Sequence, residues 1–232
     1  MIFIAHRGAP LYEAENTLKS FIFARKSGMR YFETDVHLTK DGVLVVHHDE
    51  DLKRTANVNV DIKDSYYKDL IKYNIAAHKN DSAVIPTLDE LIDILDADAV
   101  LNIELKTDVY EYEGIEKKVL ENVYKRKIEN RVIISSFNPR TLIRVRELDA
   151  KIKIGYLTRK ISLEDINKIK PVNLHISHKR LNEDIVKTAR GLGLNIWVYT
   201  VNTKEDLQRV QKLGADAVFT DDPFLSSQPV LN

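Results

Sequence analysis

Two acids one residue apart interrupt an otherwise apolar stretch, Tyr31-Phe-Glu-Thr-Asp-Val36. Side chains alternate along a strand, so Glu33 and Asp35 share a face with Tyr31, while Phe32, Thr34 and Val36 take the other. Buried carboxylates are costly unless paired or bound to a metal, so this pair calls for a cation nearby. For an isolated pair, an exposed edge strand with both acids in water is the simpler account. The rest of the chain weighs against it. Glu104 lies in a second apolar run, Val100 to Leu105, and shares a face with Asn102 and Lys106. Three carboxylates in a chain without cysteine make an all-oxygen donor set, which suits a hard cation, Mg2+ or Ca2+. Arg7 and Lys106 add cations beside those acids, an arrangement that suits an anionic ligand such as phosphate. Lys106 can equally neutralise Glu104, and the two roles are compatible.

Histidine supplies proton transfer near neutral pH, because the free imidazole titrates near ~6.5. His6 follows the apolar run Ile2 to Ala5, and His48 follows Val43 to Val46, so each lies just past a short strand. One can accept a proton while the other donates. His47 competes with His48, since neighbours on a strand face opposite ways; His48 is preferred because it has the parity of Leu44 and Val46. His37, His78, His175 and His178 are read as structural or surface residues, with His175 close to the mouth of the fold.

These groups need a scaffold that brings chain-distant strand ends together. Strands are expected at Ile2 to Ala5, Tyr31 to Val36, Val100 to Glu104, Val132 to Ser135, Ile152 to Tyr156, Asn173 to Ile176, Asn195 to Tyr199 and Ala217 to Thr220. Helices alternate with them. Their starts are marked by Asn16, by Thr87 with Glu90 as a capping box, by Asn138-Pro139, by Ser162, by Asn182 and by Thr203. Eight strands in strict alternation predict a (β/α)8 TIM barrel, in which right-handed crossovers put every strand's C-terminal end on one rim. A doubly wound open sheet is the second possibility. From about Glu50 to Ile85 the apolar period weakens, which predicts a small loop-rich insertion after the second βα region within a single domain spanning 1–232. The stretch Asp221 to Pro229 leaves space for only a turn or so of final helix.

Composition narrows the partners. The 232 residues include 35 Lys plus Arg and 35 Asp plus Glu, so no overall field favours nucleic acid or an anionic membrane. Zero cysteines rule out disulfides and thiol nucleophiles and suit a cytoplasmic location. No run approaches the ~18 apolar residues of a membrane span, and Met1 leads directly into Ile2 without a signal-like segment, so no stable membrane insertion is expected. Oligomeric state leaves no trace in the sequence.

Several short motifs together resemble a known family. Ala5-His-Arg-Gly8, Glu15-Asn-Thr17, Glu33-Thr-Asp-Val36, Asp41-Gly42, His48-Asp49, Pro86-Thr-Leu-Asp-Glu90, Glu104-Leu-Lys106, Ser136-Phe137, Trp197-Val-Tyr-Thr-Val-Asn202 and Gly214 to Asp221 occur in the order found in the glycerophosphodiester phosphodiesterases. The resemblance covers almost the whole chain. It implies metal-dependent hydrolysis of small glycerophosphodiesters to glycerol 3-phosphate and an alcohol. It places the metal ligands on Glu33, Asp35 and Glu104, the general acid and base on His6 and His48, and substrate contacts on Arg7, Lys106 and Trp197, the last near the glycerol. Other activities on the same barrel, such as lysophospholipase D, or a catalytically inactive phosphate-ester-binding member, are the alternatives. Two positions depart from the family: Ala14 stands where proline usually precedes Glu-Asn-Thr, and residues 57–61 lack glycine. The second departure bears on the choice of leaving alcohol.

Overall fold

The structure, a computed structural model, describes residues 1–226. Strands β1 (Ile2–His6), β2 (Tyr31–Leu38), β3 (Leu44–Val46), β4 (Val100–Leu105), β5 (Val132–Ser136), β6 (Lys153–Leu157), β7 (Asn173–Ser177), β8 (Asn195–Tyr199) and β9 (Ala217–Thr220) form one sheet. All but β3 are parallel, and β1 pairs with both β2 and β9, so eight strands close into a barrel. Closure excludes the open sheet. β3 is an antiparallel addition to the rim end of β2, with Val36 opposite Val46.

The helices are α1 (Leu18–Lys26), the short α2 (Lys53–Ala56) and α3 (Tyr67–Leu70), α4 (Leu88–Ile94), α5 (Ile115–Lys125), α6 (Pro139–Leu148), α7 (Leu163–Ile169), α8 (Glu183–Gly191) and α9 (Lys204–Lys212). Thr87 and Glu90 close a reciprocal capping box on α4, and Asn138, Ser162, Asn182 and Thr203 cap α6 to α9 through side-chain oxygens. At α1 the cap is Thr17, whose hydroxyl accepts from the Ser20 N–H, and not Asn16. Asn16 is left-handed, at φ 54°, and its amide is taken by Asp35 and Thr34 instead. Residues 223–226 form a turn that buries Leu225; the remainder of the expected final turn, from 227, lies outside the described residues.

Strand parity divides the core into layers. Phe32, Val36, Leu101, Ile103 and Leu105 point outward, into the shell between strands and helices, where Phe32 meets Phe21 of α1. Ile4, Ile133, Trp197, Ala217 and Phe219 point inward and fill the bottom of the barrel. Apolar packing therefore stops below the rim, and polar residues take over above it. The segment from 50 to 85 is more ordered than its sequence pattern implies. Leu52, Ile62, Leu70, Ile75 and Ile85 gather with Val45 into a separate buried cluster. These residues are spaced too irregularly for a helical or strand period, because their turns are only one helical turn long.

Candidate active site

Glu33 and Asp35 face inward from β2, and Glu104 faces inward from the paired position on β4, directly opposite Asp35. Oxygens of the three carboxylates lie within 4.8 Å of one another. Glu33 and Asp35 are buried and Glu104 nearly so. Two cations hold the cluster. The Arg7 guanidinium lies 3.2 Å from Asp35 Oδ2, and Lys106 Nζ lies 2.9 Å from Glu104 Oε1 and 3.6 Å from Asp35 Oδ1. Arg7 has a left-handed backbone, φ 55°, which turns its N–H onto Glu33 Oε2 at 3.2 Å. Gly8 follows at φ 92°, where any Cβ would collide with Ser20 of α1.

The electrostatics follow from burial and charge count. Burial, together with the charges of Asp35 and Glu104, pushes the Glu33 carboxyl well above the usual carboxylate range. Burial alone would raise Asp35 too, but Arg7 and Lys106 more than offset it and hold Asp35 far down. Glu104 is raised by burial, against the pull of Lys106. Two cations thus do not fully neutralise three acids. Asp35 Oδ1 is buried and makes no hydrogen bond among the described residues. An all-oxygen set that crowds three carboxylates around a lone pair left open fits a hard divalent cation.

His6 and His48 flank this cluster and line the same cavity, about 100 Å³, with Arg7, Glu33, Glu104 and Lys106. Each carries a carboxylate on Nδ1: His6 on Asp221 Oδ1 and His48 on Asp49 Oδ1, both at 2.6 Å. That contact fixes each ring and leaves Nε2 as the working nitrogen. His6 Nε2 lies 3.9 Å from Glu33 Oε2. Asn202 donates to the far oxygen of Asp221 at 2.6 Å. Asp49 is gripped by Arg54 of α2, which also pairs with Glu15, itself paired with Arg7. A line of ion pairs thus ties the 50–85 segment to the acid cluster.

His47 turns away. It is buried, bonded to the Asp49 carbonyl and to Thr55. His37 is also internal; Tyr112 lies on its Nδ1 and the His48 carbonyl on its Nε2, at 2.7 and 3.2 Å. Trp197 sits within the barrel with its ring stacked on His175, 5.1 Å between centroids, and does not line the cavity. Tyr199, two residues further along β8, takes the cavity wall with Phe137, Leu157 and Phe219. Asp49, Asp221 and Asn202 had no role assigned from sequence, and Asn16 only that of a helix cap, although all four fall within the motifs quoted above. Partner geometry, not residue type, distinguishes them.

Residues 6–225 match the Glycerophosphoryl diester phosphodiesterase family. The chain belongs to that family. A glycerophosphodiester phosphodiesterase of Caldanaerobacter subterraneus subsp. tengcongensis is 36% identical over 227 residues, covering 95% of this chain and 93% of that protein. A phosphodiesterase from Oleispira antarctica, solved with its product sn-glycerol-3-phosphate, superposes with a TM-score of 0.85 at 27% identity, over 98% of this chain and 96% of the other. The glycerophosphodiester phosphodiesterase of Thermotoga maritima gives 0.80 at 31% identity, over 98% and 97%. The family's barrel is the one described here, and the family makes this chain a phosphoric diester hydrolase. No helix among the described residues is long and apolar enough to cross a membrane.

Proposed function

We propose that this family member hydrolyses glycerophosphodiesters to glycerol 3-phosphate and an alcohol, using a divalent cation and two histidines. One observation carries the reading: two imidazoles, each oriented by a carboxylate, line one cavity with a three-acid cluster. Glu33, Asp35 and Glu104 would hold the ion, Mg2+ or Ca2+. When bound, it supplies positive charge to the non-bridging phosphate oxygens as negative charge builds there. Arg7 and Lys106 lie close enough to add to that field while keeping the carboxylates in place.

The histidines move the protons. One Nε2 takes the proton from the attacking oxygen as its bond to phosphorus forms. The other gives a proton to the alcohol oxygen as the ester bond breaks. The attacker is either water or the glycerol hydroxyl beside the phosphate, in which case a cyclic phosphate forms and water opens it with the histidine roles exchanged. Space for the departing alcohol lies on the His48 side. A second cavity of about 140 Å³ there shares His48 and Lys106 with the first and is lined by Glu50, Asp108 and Tyr110. The test is a coupled assay of glycerol 3-phosphate release from glycerophosphocholine and glycerophosphoethanolamine, with and without chelator. His6→Ala and His48→Ala should each lose ~10^2- to 10^4-fold in rate. Full activity in either variant removes that histidine from the scheme.

A further inference from the structure

His6 and His48 play matching parts in the reading above, yet the backbone holds them differently. His6 is the last residue of β1 and pairs with Glu33 in the barrel ladder, so the sheet fixes its place. His48 is on no strand. β3 ends at Val46, and among the described residues no backbone N–H donates to the carbonyl of His48 or to that of Asp49, the residue that orients its ring. A loop that must keep a proton-transferring ring in one place needs those carbonyls tied by other means.

Two buried histidines supply the ties. His37 Nε2 lies 3.2 Å from the His48 carbonyl oxygen, and His47 Nδ1 lies 2.9 Å from the Asp49 carbonyl oxygen. A carbonyl only accepts, so each of these nitrogens carries a proton and donates it. Burial keeps both rings neutral, which leaves the other nitrogen of each as an acceptor. A hydroxyl stands at each: Tyr112 at 2.7 Å from His37 Nδ1, and Thr55 at 3.0 Å from His47 Nε2. The same chain, hydroxyl to imidazole to carbonyl, thus occurs on two successive residues. Its anchors come from separate parts of the fold: His37 from β2, Tyr112 from the loop between β4 and α5, and Thr55 from α2. His37, His47, Thr55 and Tyr112 are all buried, which leaves water little access to these bonds.

We propose that His37 and His47 are positioning residues for the His48–Asp49 pair: they clamp two successive carbonyls and so hold the His48 ring at the angle that proton transfer requires. This rests on the glycerophosphodiester reading above, with His48 as one of its two proton carriers. Neither clamping imidazole needs to touch substrate or move a proton; each acts through the backbone it holds.

The test pairs a variant that deletes each donor with one that keeps it. Leucine at either position fills the space and offers no N–H. Glutamine at 37 puts an amide N–H near the place of His37 Nε2, and asparagine at 47 does so for His47 Nδ1. With glycerophosphocholine, His37→Leu and His47→Leu should each lower kcat about 10- to 100-fold and leave KM within about twofold, while His37→Gln and His47→Asn should keep kcat within about threefold of wild type. Adding His37→Leu to His48→Ala should change kcat by less than about twofold, because the clamp then has no ring to position. Equal losses in the leucine and amide variants overturn the clamp, as does an undiminished second loss in the His48→Ala background. Backbone 15N relaxation reads the same device without turnover: order parameters at His48 and Asp49 should fall from about 0.85 to below about 0.6 in the leucine variants and hold in the amide ones. Unchanged order parameters in a folded leucine variant also overturn it. If the wild type cleaves no glycerophosphodiester, the hydrolytic reading fails and the relaxation measurement alone decides the clamp. If a leucine variant does not fold, Tyr112→Phe and Thr55→Val take its place; each removes one outer hydroxyl and should lower kcat about two- to tenfold, and wild-type kcat and order parameters in both overturn the proposal.

Discussion

Replacing Asp221 by asparagine keeps the shape of the side chain and deletes one charge beside His6. The contact is short, 2.6 Å from Oδ1 to Nδ1, and both side chains are mostly buried, at 22% and 16% exposure. Burial alone would raise the Asp221 carboxyl, but the bond and charge of His6, the Asn202 amide and the charge of Arg7 together more than offset this and hold it below its usual range, so it is ionised when the enzyme works. With charge centres ~4 Å apart and an effective dielectric of ~20, the attraction to an imidazolium is ~4 kcal/mol. Partial exposure halves that at most, leaving ~2 to 4 kcal/mol. As the base, His6 becomes protonated in the chemical step, and as the acid it must be protonated to enter it, so in either role the loss falls on kcat. At ~1.4 kcal/mol per tenfold, Asp221→Asn should reduce kcat by ~30- to 1,000-fold. KM should change little, because Asp221 does not line the cavity. Asn202 accepts the Asp221 backbone N–H through Oδ1, so the local loop should keep its shape in the variant. The measurement is steady-state release of glycerol 3-phosphate at saturating glycerophosphocholine, with melting temperature as the folding control. A kcat within threefold of wild type in a folded Asp221→Asn protein would falsify the positioning argument. A rise in KM alone would do the same, since it would move the effect from chemistry to binding.

Asp49→Asn should act in the same direction through His48 but more weakly, about tenfold in kcat, because the His48 side chain is a third exposed and water screens the pair; the same assay reads it. Mg2+ or Ca2+ at ~100 times its Kd should stabilise the wild type by ~2.7 kcal/mol, seen as a raised melting temperature, and this shift should vanish in Glu33→Gln. An equal shift in the variant would move the ion elsewhere. Burial depresses the His175 imidazole from its usual value to about 3. The unfolded chain then takes up a proton below pH ~6.5 that the fold refuses, so this residue's contribution is intact above ~6.5 and is lost as pH falls toward 3. Urea melts at pH 7 and pH 4.5 should show His175→Phe losing ~2 to 3 kcal/mol less than wild type over that interval. Identical losses would mean that His175 is protonated in the fold.

The barrel was legible because its determinants are local and periodic. Alternation in Tyr31 to Val36 and Val100 to Leu105 set which side chains point inward, and Thr87, Asn138, Ser162, Asn182 and Thr203 announced helix starts with their own oxygens. Asn16 misled for a physical reason. As a residue type it caps as well as threonine, but the Asp35 carboxylate, 19 residues away in sequence and 2.9 Å from its amide nitrogen, competes for that amide and wins. The 50–85 segment hid its cluster because its five buried apolar side chains, on single turns and the loops between them, leave no period to read.

The candidate site divides along the same line between what a residue is and what it touches. Carboxylates, imidazoles and cations show their chemistry by type, so Glu33, Asp35, Glu104, His6, His48, Arg7 and Lys106 could be picked out, and the fold brings them around one cavity. Trp197 was picked out as a large aromatic beside the glycerol, yet the register of β8 seats it a layer lower, against His175. Asp221 and Asp49 are ordinary acids until a histidine lies 2.6 Å away, and for Asp221 that histidine is 215 residues distant in sequence. A strand-parity argument can find inward residues at the right height, but not which of them pair, because pairing is settled by elements distant in sequence.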